Sequence, residues 1–406
     1  METKMKLVIL LGDGMADHPI EALGGKTPLT AAETPNMDRI AREGRGGLAR
    51  NVPPGMPPGS DIANLSVMGY DPERYYSGRA PLEAAAMGVP LGPEDVAFRC
   101  NLVTVDLDRR VMIDYSAGHI TSEEGRGLIE ALKKGQPAAR LHPGVSYRNL
   151  LVQGGDEGLK AVCTPPHDIA GQPIDDHLPR GEGSATLRDM MASSVPILAE
   201  HPVNLQRAKE GKRPANMIWL WGQGKAPSMP KFRDMWGIEG AVISAVDLLK
   251  GMGIYAALEV IDVPGATGVL DTNYEGKVAA CLDALREVDF VFLHVEAPDE
   301  MSHDGDLEGK IEAIRRFDER VVGPVLAGLE RSGFEWRVLV LPDHPTPLSI
   351  RTHTSEPVPF AMIGSGIEPD DMKAFSEEEG ARGGCGTIEG WRLMGMMVER
   401  DEGWPN

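Results

Sequence analysis

Cysteine is scarce in this sequence: four residues, Cys100, Cys163, Cys281 and Cys385, in a chain of 406. They lie far apart and form no C-x-x-C pair, which argues against a disulfide framework or a zinc ribbon and points to a reducing compartment. Long apolar runs are missing too. None approaches the ~18 residues that a membrane span needs. The first apolar run, Leu7 to Leu11, stops at Gly12-Asp13 and is too short for the core of a signal peptide. Basic residues are outnumbered, 41 Lys and Arg against 61 Asp and Glu, for a net charge of −20. That deficit argues against nucleic acid and against an anionic membrane as partners. A small anionic substrate stays compatible if metal ions or local arginines offset the field. No G-x-x-x-x-G-K-[ST] loop is present to cradle a nucleoside triphosphate, and no internal repeat is visible. The expectation is a cytoplasmic protein that acts on a small molecule.

What the sequence does contain is an alternation of buried-strand and helix patterns. "KLVILLGDG" is a continuous apolar run that stops at Gly-Asp-Gly, the signature of a strand covered on both faces. "AETPNMDRIAREG" follows with helical periodicity, Thr34 as cap and Pro35 at the first helical position. Three more buried strands are expected at 289–296, 336–344 and 358–364, with a helix between the first two. Such β–α–β order predicts an α/β fold with a mostly parallel sheet and helices on both faces. The middle of the chain differs. "AFRCNLVTVD", "RVMIDYSAGHI", "SYRNLLVQGG" and "ANMIWLWGQG" are short strand-like runs between polar turns. They suggest a smaller α+β domain, residues 94–225, inserted into a first domain made of 1–93 and 226–406, with Gly- and Pro-rich joints at 89–95 and 222–232.

The stretch "PPGMPPGSDIANLSVMG" places a loop before a short helix. Ile62, Leu65 and Met68 share one helix face, so Ser60 falls at the N-cap and Ser66 inside the helix. A helix N-terminus favours an anion such as a phosphate, but a serine there is ordinarily only a cap. A nucleophilic role needs a metal, a base or a partner from elsewhere in the chain.

Acidic residues and histidines gather where the carboxyl ends of the buried strands are expected. Asp13 follows the first strand. Asp299 and His303 follow the 289–296 strand at i, i+4 spacing. Asp343 and His344 end the 336–342 strand, and His353 precedes the last one. His294, inside an apolar run, reads as a core or supporting histidine. Open α/β sheets place ligands outside these strand ends. Mixed Asp/His donors suit Mn²⁺, Zn²⁺ or Co²⁺ more than Mg²⁺ or Ca²⁺. The set is too large for one tetrahedral ion and suits two, ~3.5–4 Å apart, as in phosphoryl displacement. Metal ions near Ser60 would lower its hydroxyl pKa and offset the charge of a phosphate.

Taken together, "LLGDG", "PGSDIANLSVMGYDP", "APDEMSHDGD", "PDH" and "THTSEPVPF" resemble the cofactor-independent phosphoglycerate mutases, archaeal-type branch, of the alkaline phosphatase superfamily. The resemblance implies an alkaline-phosphatase-like domain with an inserted capping domain. It implies one metal on Asp299, His303 and His353, and a second on Asp13, Ser60, Asp343 and His344, with Ser60 as nucleophile. It further implies interconversion of 3- and 2-phosphoglycerate through a phosphoserine, with two divalent ions, Mn²⁺ first and Zn²⁺ or Co²⁺ as alternatives, and without bisphosphoglycerate. The insert must supply cations for a carboxylate and a phosphate. Its candidates are Arg99, His119, Arg148, His167 with Asp168, and Lys225. One departure is "DYSAGHI", where that branch often carries arginine. A homoserine kinase-like phosphotransferase or a metal-dependent phosphatase of the same superfamily is therefore the alternative activity, and a metabolite-binding scaffold the non-enzymatic one.

Overall fold

The computed structural model describes residues 5–136 and 139–398. Among these the strands are, in chain order, β1 (Lys6–Gly12), β2 (Arg45–Arg50), β3 (Asp95–Asp106), β4 (Val111–Asp114), β5 (Arg140–His142), β6 (Arg148–Gly154), β7 (Met217–Gly224), β8 (Gly240–Ile243), β9 (Glu259–Val260), β10 (Phe290–Val295), β11 (Trp336–Leu341), β12 (Val358–Gly364) and β13 (Thr387–Glu389). The chain divides into two compact units, residues 1–76 with 229–406, and residues 77–228.

The larger unit holds one sheet in the order β13-β2-β12-β11-β1-β10-β8-β9. β1 lies inside it, paired in parallel with β10 and β11, and every one of its seven residues is buried. That explains its unbroken apolar sequence, since both faces are covered. Val8 and Leu10 point to one side with Val291, Leu293, Val338 and Val340, against Met37, Ile40 and Ala41 of helix α1 (Pro35–Glu43) and Phe317 and Val325 beyond. Leu7, Ile9 and Leu11 are buried on the opposite side. Each such side chain contributes roughly 1.5–3 kcal/mol of transfer free energy. The expected 358–364 strand is present but runs antiparallel to both neighbours, β11 and β2. That reversal brings its first residue to the rim where the parallel strands end. No helix among the described residues is long and apolar enough to cross a membrane.

The smaller unit is built on an antiparallel sheet in the order β4-β3-β6-β5, with β7 also paired to β3. β3 is long enough to pair β6 over 95–101, β7 over 97–103 and β4 over 104–106. This unit begins at Ser77, ahead of the joint expected at 89–95. The reason is apolar packing. Helix α2 (Arg79–Ala86) sets Ala80 and Ala84 against Ala97 of β3 and Leu150 of β6. The other limit, Ser228–Met229, lies within the Gly- and Pro-rich stretch 222–232.

Candidate active site

Four strand ends of the larger unit supply one cluster. Gly12 ends β1, and Asp13 follows with no exposure. β10 leads into helix α3 (Ala297–Asp304), which carries Asp299 and His303 one turn apart. β11 ends at Leu341, just before Asp343 and His344, and His353 precedes the antiparallel β12. β2 ends at Arg50, and the loop after it leads to helix α4 (Ser60–Val67). Asn51 pins that loop by donating to the carbonyls of Pro342 and Asp343, at 3.3 and 2.7 Å.

The donor atoms converge. His303 Nε2 and His353 Nε2 are 3.0 Å apart, and they lie 3.1 and 3.5 Å from the two oxygens of Asp299. His303 Nδ1–H donates to the Arg351 carbonyl at 2.9 Å, which turns Nε2 toward the cluster. Nearby, His344 Nε2 lies 3.2 Å from Asp343 Oδ2 and 3.7 Å from Asp13 Oδ1. Asp343 Oδ1 accepts from the Gly14 and His344 amides, and its Oδ2 from Asn64 Nδ2 at 2.8 Å. Asp299, His344 and His353, and likewise Asp13, Asp343 and His344, each bring ligand atoms within 4.8 Å of one another.

The electrostatics favour a cation. Burial and the neighbouring Asp343, Glu296 and Asp299 push the Asp13 carboxyl well above its ordinary range. Burial and the Asp299 charge raise Asp343 to about 6. Asp13 Oδ1 is buried without a hydrogen-bond partner, a costly state for a carboxylate oxygen. Burial also opposes ionisation of Asp299, yet His353 and His303 hold it well below the carboxylate range. Crowded acids that repel one another, interleaved with imidazole nitrogens, fit divalent ions with mixed N/O preference. Asp13, His294 and Glu296 form a further set within 4.8 Å. His294 is committed elsewhere: Ser244 Oγ–H donates to its Nδ1 at 3.1 Å, so its Nε2–H donates to Asp13 Oδ2 at 2.8 Å. It orients Asp13.

Ser60 sits one residue later than its expected cap position. Gly59 is the N-cap and Ser60 the first helical residue, with no side-chain cap bond. Its Oγ lies instead 3.2 Å from His344 Nε2. Asn64, one turn on, ties the Ser60 carbonyl (3.0 Å) to Asp343. Ser66 is buried inside the helix. Asn64 could have been read from its i+4 spacing to Ser60; Asn51 carried no signal.

The substrate candidates of the smaller unit separate into two groups. Arg99 is buried, with Nε 2.9 Å from Glu83 Oε2 and its guanidinium 4.2 Å over the Trp221 ring. Arg79, which sequence reading missed, pairs with Glu83 at 3.2 Å and faces the same ring. Burial lowers Arg99 to about 10, against the pull of Glu83 and helped by the like charges of Arg79 and Arg148. His167 packs edge-on to Trp221, with Asp168 3.6 Å from its Nε2. His119 and Lys225 do not join this cluster. His119 is exposed in left-handed backbone (φ 48°) and lines a separate cavity of about 490 Å³ with Tyr115, Lys212 and Arg213. Lys225 is committed to Asp156 at 2.7 Å and Glu94 at 3.2 Å, both exposed acids, because its strand end opens to the surface.

A family model described as 2,3-bisphosphoglycerate-independent phosphoglycerate mutase matches residues 41–204. A protein of that name from Methanothrix thermoacetophila is 64% identical over 398 residues, 97% of this chain and 100% of the relative. Among solved structures, a protein from Pyrococcus horikoshii aligns with a TM-score of 0.82 at 32% identity over 100% of both chains. The cofactor-independent phosphoglycerate mutase of Thermoplasma acidophilum aligns at 0.61 and 26% identity, over 97% of this chain and 99% of that one.

Proposed function

The chain belongs to the family of 2,3-bisphosphoglycerate-independent phosphoglycerate mutases, and on that premise we propose that it interconverts 3- and 2-phosphoglycerate through a phosphoserine on Ser60. It is an isomerase that moves a phosphoryl group within one small metabolite and needs no bisphosphoglycerate. Asp299, His303 and His353 would hold one divalent ion, and Asp13, Asp343 and His344 with Ser60 a second; Mn²⁺ is the first choice for this donor set. When bound, the ions supply positive charge to the phosphate and lower the pKa of the Ser60 hydroxyl.

The chain's own residues do the rest. Ser60 Oγ gives up its proton and bonds to phosphorus as the bond to the C3 oxygen breaks, and the C3 oxygen takes up a proton in turn. The C2 hydroxyl then gives up its proton and bonds to phosphorus, which releases Ser60. The N-terminus of α4 favours the phosphate. Arg99, Arg148 and Arg79, beside Trp221 and His167, are our candidates for the glycerate carboxylate. A glycerate held through both transfers keeps water from the phosphoserine.

The observation that carries this reading is the Ser60 hydroxyl, 3.2 Å from His344 Nε2 amid converging carboxylates and imidazoles. The test follows phosphorus NMR of 3-phosphoglycerate with the Mn²⁺-loaded protein, and separately of homoserine with ATP. Formation of 2-phosphoglycerate supports the mutase. Phosphohomoserine without any 2-phosphoglycerate would overturn it.

A further inference from the structure

A buried hydroxyl joins the two ligand sets. Thr346 has no exposure and stands two residues after His344. Its Oγ1 lies 2.6 Å from Asp299 Oδ1 and 3.2 Å from His344 Nδ1. A hydroxyl carries one proton, and an ionised carboxylate only accepts. The proton therefore goes to Asp299, and the second contact runs from His344 Nδ1–H to the threonine oxygen. That selects the Nδ1–H tautomer of His344. Its Nε2 is left with a free lone pair on the side where Ser60 Oγ and Asp343 Oδ2 each stand at 3.2 Å.

We propose that Thr346 is a positioning residue shared by both halves of the centre, orienting Asp299 in one ligand set and fixing the tautomer of His344 in the other. The inference rests on the two-metal reading above.

Two further features hold Thr346 in place. Its N–H donates to the Ala16 carbonyl at 3.1 Å. Its own carbonyl accepts at 3.0 Å from the buried Lys310 ammonium, which also binds Asp17 Oδ2 at 2.8 Å and the Ala16 carbonyl at 3.3 Å. The loops after β1 and β11 are thus tied to one cation. Gly14 has φ +62°, and a Cβ there would come within 2.6 Å of both Asp299 Oδ1 and Thr346 Oγ1. The second glycine of "GDG" is required by this hydrogen bond as well as by the turn.

The experiment strips the full-length protein of metal and titrates Mn²⁺ calorimetrically into wild type, Thr346→Val and Thr346→Ser. Thr346→Val keeps the shape but removes donor and acceptor, and should weaken Mn²⁺ binding about 10–100-fold, as loss of an outer hydrogen-bond partner does. Thr346→Ser keeps the hydroxyl and should stay within about threefold of wild type. If Thr346→Val does not fold, Thr346→Ala replaces it in the same comparison. Wild-type affinity in the hydroxyl-less variant, or an equal loss in Thr346→Ser, would overturn the proposal while leaving the metal centre intact. Absence of Mn²⁺ binding by wild type would overturn the metal reading itself, and this inference with it.

Discussion

The candidate clusters of the two units gather charge of opposite sign. In the larger one, Asp13, Asp299 and Asp343 meet histidines, amides and a hydroxyl, and Asp13 and Asp343 are pushed toward their neutral forms. In the smaller one, the buried Arg99 and the half-buried Arg79 pair with one buried glutamate, Glu83, the exposed Arg148 adds its charge, and Arg99 is pushed down toward neutrality. The physics is the same: burial and like-charge crowding penalise ionisation. The surplus tells what each cluster is built to receive. Glu83 already offsets part of the arginine charge, so that cluster is largely self-contained and its remainder suits one anionic group. In the acidic cluster His353 and His303 offset Asp299, while Asp13 and Asp343 stay crowded against other acids, a remainder that suits divalent cations.

Removing the nucleophile tests the acidic side most severely. Ser60→Ala should lower turnover by roughly 10⁴-fold or more, while stability changes by less than about 1 kcal/mol because Ser60 makes no cap bond. Ser66→Ala should remain active. A dead Ser66 variant beside a working Ser60 variant would move the nucleophile one and a half turns along the helix.

Metal removal comes next. Chelation should stop turnover, and Mn²⁺, Co²⁺ or Zn²⁺ should restore it. Asp299→Ala and His353→Ala should retain less metal by elemental analysis. An ion present at 100 times its Kd adds about 2.7 kcal/mol to stability, so the chelated protein should melt at a lower temperature. Full activity after verified chelation would erase the contrast between the clusters.

On the basic side, Arg99→Ala should cost about 1–3 kcal/mol in urea unfolding, since it leaves the buried Glu83 with Arg79 as its one close ion-pair partner. The double variant Glu83→Gln/Arg99→Met should recover most of that loss. An equal loss in both would assign the effect to packing on Trp221 and not to charge.

The clusters should also respond to pH with opposite sign. In metal-free protein Asp343 titrates at about 6 against an ordinary 3.8, so between those values the folded chain binds more protons than the unfolded one. Stability then falls as pH rises through that window, and loading with Mn²⁺ should abolish the trend. Burial opposes ionisation of Glu83, but Arg99 and Arg79 hold it below its ordinary 4.5. Its contribution is complete above 4.5 and is lost as pH falls through the lower folded value. Melting curves from about pH 2 to 8, with and without metal, separate the two. The smallest effect belongs to Lys225→Ala, which should change turnover less than about twofold, because surface pairs contribute little. A larger loss would place Lys225 with the arginines after all.

Much of the larger unit could be read from the chain. Apolar runs that stop abruptly at Gly-Asp or Pro-Asp announce buried strands, because a strand covered on both faces carries few polar residues until it leaves the sheet. Polar ligands are then legible as the first residues past that edge, as with Asp13, Asp343 and His344. The smaller unit was harder. Its half-covered strands alternate weakly, and α2 looked like part of the first domain until Ala80 and Ala84 were seen against β3 and β6. The meeting of Arg79 and Arg99 on Glu83 and the pairing of Lys225 with Asp156 and Glu94 were not legible for one reason: a cation's partners depend on which residues distant in sequence fold beside it.

By itself, then, the sequence determined the elements that are covered on both faces and the donor chemistry at their ends, because burial and side-chain chemistry are written locally in residue character. Only the tertiary structure decided that β12 runs backwards and delivers His353 to the same rim, that Gly59 and not Ser60 caps the helix, and that Thr346 links Asp299 to His344. Those are matters of direction and of single hydrogen bonds between residues far apart in the chain. They are set by how the elements pack, and no local pattern of residues encodes them.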